Sequence, residues 1–295
     1  MTTFRDALAA GPLVLDGGMS NELEAQGHEL NGTLWSARLL RDAPDAITAV
    51  HRAYFAAGAQ VAITASYQAT YDGFARVGIT RAETTTLLQR SVYLAREAAA
   101  GTGWVAASVG PYGAMLANGS EYRGDYGLTV AELTRFHRPR LEALAEAAPD
   151  VFAIETIPDL REAEAVLTAL EGLGIPAWLS YSIRGTTTSA GQPLTEAFAL
   201  ARSSDAVVAT GVNCAPAADT APALALITGL PGVAYPNGGG VWEPAARSWL
   251  GAEDEIADLA PSWLAAGAAL LGGCCRVGPA EIKKLAARLS ASTAG

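Results

Sequence analysis

Short apolar runs alternate with segments of helical periodicity from one end of the chain to the other. The runs predict strands over 13–16, 60–66, 104–109, 151–156, 177–182, 206–214, 232–237 and 268–273. Helical patterns fill the intervals, over 45–57, 81–100, 130–147, 160–173, 195–203, 218–229 and 253–266, with a last one over 279–289. Within 45–57, Ile47, Val50, Tyr54 and Ala57 fall on one face, as a helix laid on a sheet requires. Pro279 suits a first helical turn and Gly174 a helix end. Eight strands alternating with helices over ~250 residues predict an α/β fold, a (β/α)8 barrel of the TIM type. An open doubly wound sheet is the alternative, but no linker or composition shift marks a second domain, so residues 1–295 read as one. The connection 110–127, GPYGAMLANGSEYRGDYG, exceeds the ~12–15 residues of an ordinary structureless loop and reads as a lid or binding loop.

Composition narrows the partners. A net charge of −10 argues against nucleic acid or an anionic membrane surface. No apolar run approaches the ~20 residues of a membrane span, and the start, MTTFRD, lacks a signal-peptide core. Three cysteines, an odd number outside any secretory framework, point to a reducing compartment and a cytoplasmic protein.

The conspicuous polar clusters fall at the ends of predicted strands: Asp16-Gly17-Gly18, Glu155-Thr156, Asn213-Cys214, Asn237-Gly238 and Cys274-Cys275. In a (β/α)8 barrel those ends share one face, where catalytic groups collect. A lone cysteine is usually a small buried hydrophobe. Adjacent cysteines after Gly272-Gly273 are harder to explain as packing, and neighbouring Cα atoms ~3.8 Å apart lie below the ~4.4 Å at which disulfides begin. Cys214, Cys274 and Cys275 instead suit zinc, three soft ligands leaving a fourth position open as in catalytic sites. Asp16 before two glycines could simply start a turn. Glu155 closes an apolar strand, where a carboxylate is costly unless it meets a cation; the two together suit the ammonium group of an amino acid. His28, His51 and His137 lie away from the strand ends, so no Ser-His-Asp arrangement is visible. The diglycines lack phosphate-loop spacing, and 238–240 reads as a flexible turn.

These motifs, in order, resemble the homocysteine S-methyltransferases, a zinc- and thiol-dependent family built on a (β/α)8 barrel. The resemblance runs from Leu15 to about Leu285 and rests on LDGGMSNELE (15–24), GAQVAITASYQATYDGF (58–74), SVGPYGAMLANGSEYRGDY (108–126), ETIPDL (155–160), GVNC (211–214), YPNGGG (235–240) and GGCCR (272–276). SYQAT and GSEYRGDY look most like the branch that uses S-methylmethionine, and often S-adenosylmethionine, as donor. The resemblance implies zinc held by Cys214, Cys274 and Cys275, and L-homocysteine held at Asp16, Gly17, Gly18, Met19 and Glu155, with its amino group on the two carboxylates. The family often has asparagine where Ala65 stands, YPNSGE where this chain has Gly238, Gly239 and Gly240, and an acidic residue near Gly185; these departures bear on donor preference and substrate positioning.

The implied reaction needs no catalytic side chain beyond the zinc-activated substrate thiol. A metal-bound thiol is a thiolate at neutral pH, and a sulfonium donor leaves as a neutral thioether that needs no general acid. Tyr112, Tyr122 and Tyr126 on the long connection are expected to close over the site, their ring faces attracting the sulfonium cation. The rival readings are a zinc hydrolase on the same barrel, disfavoured because three thiolates make zinc a poor Lewis acid, and a thiol or zinc sensor, which has no use for strand-end carboxylates.

Overall fold

The computed structural model describes residues 2–30, 34–243, 248–251 and 254–292. Its eight parallel barrel strands are β1 (Leu13–Val14), β2 (Val61–Ile63), β3 (Trp104–Val109), β4 (Val151–Ile157), β5 (Ala177–Tyr181), β6 (Val207–Asn213), β7 (Gly232–Tyr235) and β8 (Ala268–Leu271). They pair in the ring order β1-β8-β7-β6-β5-β4-β3-β2, and a bridge between Leu15 and Val61 joins the first strand to the second. The helices that follow them are α1 (Pro44–Ala56), α2 (Arg81–Ala99), α3 (Val130–Glu146), α4 (Leu160–Leu170), α5 (Leu194–Arg202), α6 (Ala217–Leu224), α7 (Ile256–Ala265) and α8 (Pro279–Ser292). The fold is the expected α/β barrel, and the open sheet is set aside. Among the described residues no helix is long and apolar enough to cross a membrane.

Period-two alternation along the strands makes two apolar layers. Ala106, Ala153, Ala209, Trp178, Val233, Tyr235 and Leu270 fill the barrel interior, while Val105, Phe152, Ile154, Leu179, Val212 and Leu271 pack outward with the helices. A short helix, Phe4–Ala10, begins with Thr3 in a reciprocal cap with Asp6. It belongs to the interior layer: the Phe4 ring lies edge-on to Trp104 at 5.9 Å and 6.4 Å from Trp178. The N-terminal segment therefore plugs the barrel, a role its sequence pattern did not announce.

Several strands stop short of the predicted runs, and what is trimmed forms the site. Residues 16, 64–66, 214, 236–237 and 272–273 leave the ladder and turn into the loops beyond the strand ends. The 110–127 connection is more ordered than a loop. It carries a helical turn, Tyr112–Leu116, and a 3-10 turn, Ser120–Tyr122. Its root is tied down from behind. Glu162 of α4 accepts from the Tyr112 backbone N–H at 2.5 Å and meets His137 Nε2 of α3 at 2.9 Å. Arg140 of α3 donates to the Gly110 carbonyl.

Replacing Phe4 by alanine should cost about 3–5 kcal/mol of unfolding free energy, the usual loss for a truncated buried aromatic. Urea denaturation measures it; a loss under ~1 kcal/mol would take the plug out of the core.

Candidate active site

The three thiols converge as the topology predicts. β6 runs into Cys214 and β8 into Gly272-Gly273-Cys274-Cys275, and the strand between them, β7, knits the two together. Cys214 N–H donates to the Tyr235 carbonyl at 3.2 Å, Cys274 N–H to Pro236 at 2.8 Å, and Gly238 N–H to the Cys275 carbonyl at 2.8 Å. The three sulfur atoms lie within 4.8 Å of one another. The loop after β1 closes against them. A Cβ on Gly18 would sit 2.6 Å from the Cys274 carbonyl oxygen, and one on Gly17 would strike that of Val277; only glycine allows so close an approach. Tyr54 of α1 places its hydroxyl between the carbonyls of Gly18 (3.0 Å) and Val277 (2.9 Å). Met19, the first residue of the helix Met19–Ala25, packs on the outer core.

The structure brings all three expected ligands together, with Cys214 and Cys274 paired as a disulfide, their Cα atoms 5.5 Å apart, and Cys275 free with its Sγ 3.9 Å from that of Cys214. The convergence that makes a soft donor set also lets two of its members bond to each other, which residue spacing alone does not reveal. The donor set fits a thiophilic metal only after reduction, because disulfide sulfurs offer no thiolate. Burial, with the charges of Glu121 and Glu24 behind it, pushes the Cys275 thiol up to about 11. A cation at the cluster would reverse that.

The carboxylates sit across the same face. β4 and β5 change register between Ile154↔Leu179 and Ile157↔Tyr181, three steps against two, so a bulge falls at Glu155-Thr156. Glu155 accepts from the Ser108 hydroxyl, and burial pushes it up to about 7 against the lowering effect of Ser108 and Tyr235. Asp16 accepts from the Ile63 backbone N–H at 2.8 Å through Oδ2, while its buried Oδ1 has no protein partner. Burial raises the Asp16 carboxyl well above the ordinary range, and the nearby charge of Glu155 adds to the shift.

The long connection supplies the rim. Tyr122 is part exposed, but its phenol is raised by burial and by the charges of Cys275, Glu121 and Glu155, which puts it among the site groups. The Tyr112 ring packs at a tilt on Tyr126 (5.2 Å) and edge-on to Phe136 of α3 (4.9 Å). Glu121, which the sequence reading passed over beside the tyrosines, has a buried Oε2 without a partner, and burial raises its carboxyl. Tyr67 is raised by burial and then by Tyr122 and Glu121, so it shares that region. Of the departures, Ala65 is buried, the Gly239 carbonyl accepts from Arg276 at 3.1 Å, and Gly185 N–H donates to Asp219 of α6 at 3.0 Å, an acidic residue arriving from another element. His51 and His137 are buried on the outer helices. His137 is satisfied by Glu162, whereas neither ring nitrogen of His51 has a partner and burial lowers it to about 4.

Comparison with known proteins agrees with this geometry. The homocysteine S-methyltransferase family profile matches residues 13–289. The homocysteine S-methyltransferase of Escherichia coli (strain K12) is 46% identical over 293 residues, 94% of each chain. Two crystal structures of the homocysteine methyltransferase MmuM from Escherichia coli superpose closely. The metallated form gives a TM-score of 0.87 at 46% identity, over 96% of this chain and 98% of that one. The oxidized form gives 0.85 at 46% identity, over 94% and 96%.

After reduction, the protein should take up one thiophilic divalent ion per chain, read by elemental analysis, and Cys275→Ala should abolish it. Full occupancy in that variant would remove Cys275 from the donor set.

Proposed function

The chain belongs to the homocysteine S-methyltransferase family, and on that premise we propose that it methylates the thiol of L-homocysteine from a sulfonium donor, giving methionine. S-methylmethionine is the first choice of donor and S-adenosylmethionine the second. The proposal takes residues 1–295 as one homocysteine-binding barrel working in the reducing cytoplasm, where Cys214 and Cys274 are thiols. Cys214, Cys274 and Cys275 would hold zinc, which when bound supplies the positive charge that keeps a substrate sulfur deprotonated at neutral pH.

The observation that carries this reading is the pairing, on one barrel face, of a thiol triad with two buried carboxylates short of a cation. A buried carboxylate that keeps an unpartnered oxygen is costly, and Asp16 Oδ1 is such an atom. An ammonium group between Asp16 and Glu155 would supply the missing donors and favour both ionised forms. A ligand carrying an ammonium at one end and sulfur at the other matches the site; homocysteine is one.

The remaining residues orient the substrates and keep water out. The sulfonium donor is cationic, and Glu121 offers it an unpartnered carboxylate oxygen beside the rings of Tyr67 and Tyr122. Tyr112 serves instead through its backbone, which fixes the root of the rim on Glu162. Because the donor departs as a neutral thioether, in-line orientation is the main demand, worth up to ~7–11 kcal/mol in well-positioned systems. The hydrolase alternative gains nothing, since His51 and His137 lie on outer helices.

Glu155→Gln tests the substrate. The variant should fold and keep its metal, yet bind homocysteine about tenfold to a hundredfold more weakly, the range for losing a charge-assisted hydrogen bond. In the unaltered protein Glu155 must be ionised to hold the ammonium. With its carboxyl near 7 in the free enzyme, kcat/KM for homocysteine should fall as pH drops through 7, and Glu155→Gln should lack that limb. Undiminished affinity in the variant would return Glu155 to a structural role.

A further inference from the structure

Two backbone positions at the site, one beside a carboxylate and one at a thiol, take a conformation that L-amino acids avoid. Thr156, next to Glu155, has φ +60°, and Cys214, next to Asn213, has φ +47°. For a β-branched residue such as threonine this is an outlier that the surroundings must enforce. The enforcing group is Asn213. Its Oδ1 accepts from Thr156 N–H at 2.7 Å and from Ser180 Oγ at 2.8 Å, and its Nδ2 donates to Thr156 Oγ1 at 2.7 Å. Because one partner is a backbone N–H, the amide orientation is fixed. Asn213 and Thr156 are each about 1% exposed, so water does not compete for these bonds.

The span of the contact matters more than its strength. β4 and β6 do not pair; β5 lies between them. The Asn213 side chain therefore crosses a strand to grip the bulge that aims Glu155, while its own backbone leads into Cys214. Ser180 of β5 extends the link to the Tyr235 hydroxyl at 2.6 Å, and Tyr235 in turn takes Trp178 Nε1–H at 3.0 Å and faces Glu155.

We propose that Asn213 is a positioning residue that sets the spacing between the ammonium-binding carboxylate and the thiol cluster, and so selects thiols that carry an α-amino group. This rests on the reading of Glu155 given above. Asn213 touches no substrate; it acts by holding Thr156 in its left-handed conformation.

The test compares homocysteine with 4-mercaptobutanoate, the same thiol acid without the amino group, using zinc-loaded enzyme and S-methylmethionine. The unaltered enzyme should prefer homocysteine in kcat/KM; equal treatment of the two would defeat the Glu155 reading itself. In Asn213→Ala the preference should fall at least tenfold, through KM for homocysteine, while 4-mercaptobutanoate changes less than threefold. Thr156→Gly removes the cost of the positive φ, so the double variant should return to within threefold of the original preference. Equal losses for both thiols in Asn213→Ala, or a double variant no better than the single one, would overturn the proposal. Should Asn213→Ala fail to fold, Thr156→Ala keeps the backbone strain and deletes one bond of the clamp. It should lower the preference at least threefold, and an unchanged preference there overturns the proposal equally.

Discussion

The constraint on which this structure turns is the burial of acidic groups, among the described residues, with too little opposite charge to offset its cost. Asp16, Glu155 and Glu121 are all pushed toward their protonated forms by burial, and Cys275 keeps its proton for the same reason. Folding has gathered these groups on one face of the barrel, where they are stable only as neutral acids or in company with cations. Under the proposed function, a metal ion at the sulfurs, an ammonium at the carboxylates and a sulfonium at the rim would each answer part of that deficit. The site is specified by what it lacks.

Stability and function pull against each other here. Glu155 and Glu162 have folded-state values raised to about 7 and about 8. For a carboxyl raised on folding, the associated stability is fully present below the unfolded value and is lost as pH rises through the folded one. The ligand-free protein is therefore burdened by these two groups near and above neutrality, and a cationic ligand at Glu155 would offset its share. Left-handed backbone at Thr156, Cys214 and Arg276 adds strain of about 1–3 kcal/mol at each position. The barrel tolerates it because two apolar layers and the Phe4 plug hold the strands.

How much of this was legible in the chain follows from what each feature depends on. Apolar runs and helical faces are local, so all eight strands and their helices were readable, β3 to the residue. Strand ends were overextended because the last apolar residues of a run, such as Gly272-Gly273, leave the ladder to reach the site. The thiol triad was visible because cysteine is rare and chemically distinct. The Cys214–Cys274 bond was not, since it depends on how closely two strand ends meet. Nor could the bulge at Glu155-Thr156 be seen, or the reach of Asn213 across β5, because both belong to register. Glu121 could have been suspected as the one acid in GSEY, beside Tyr122; the packing of the Tyr112 ring on Tyr126 and Phe136 was not legible, because a ring in a loop does not disclose its direction.

The central claim is that the thiol cluster receives the substrate sulfur as a thiolate while the carboxylates receive its ammonium. Calorimetry near pH 7, in buffers of different ionisation enthalpy, separates the two. Homocysteine and methionine share the ammonium, so any proton Glu155 gives up is common to both. Only homocysteine has a thiol proton to lose, from a group whose free value lies near ~8.5. The reduced, zinc-loaded protein should release close to one more proton on binding homocysteine than on binding methionine. Equal release by the two ligands would contradict the account.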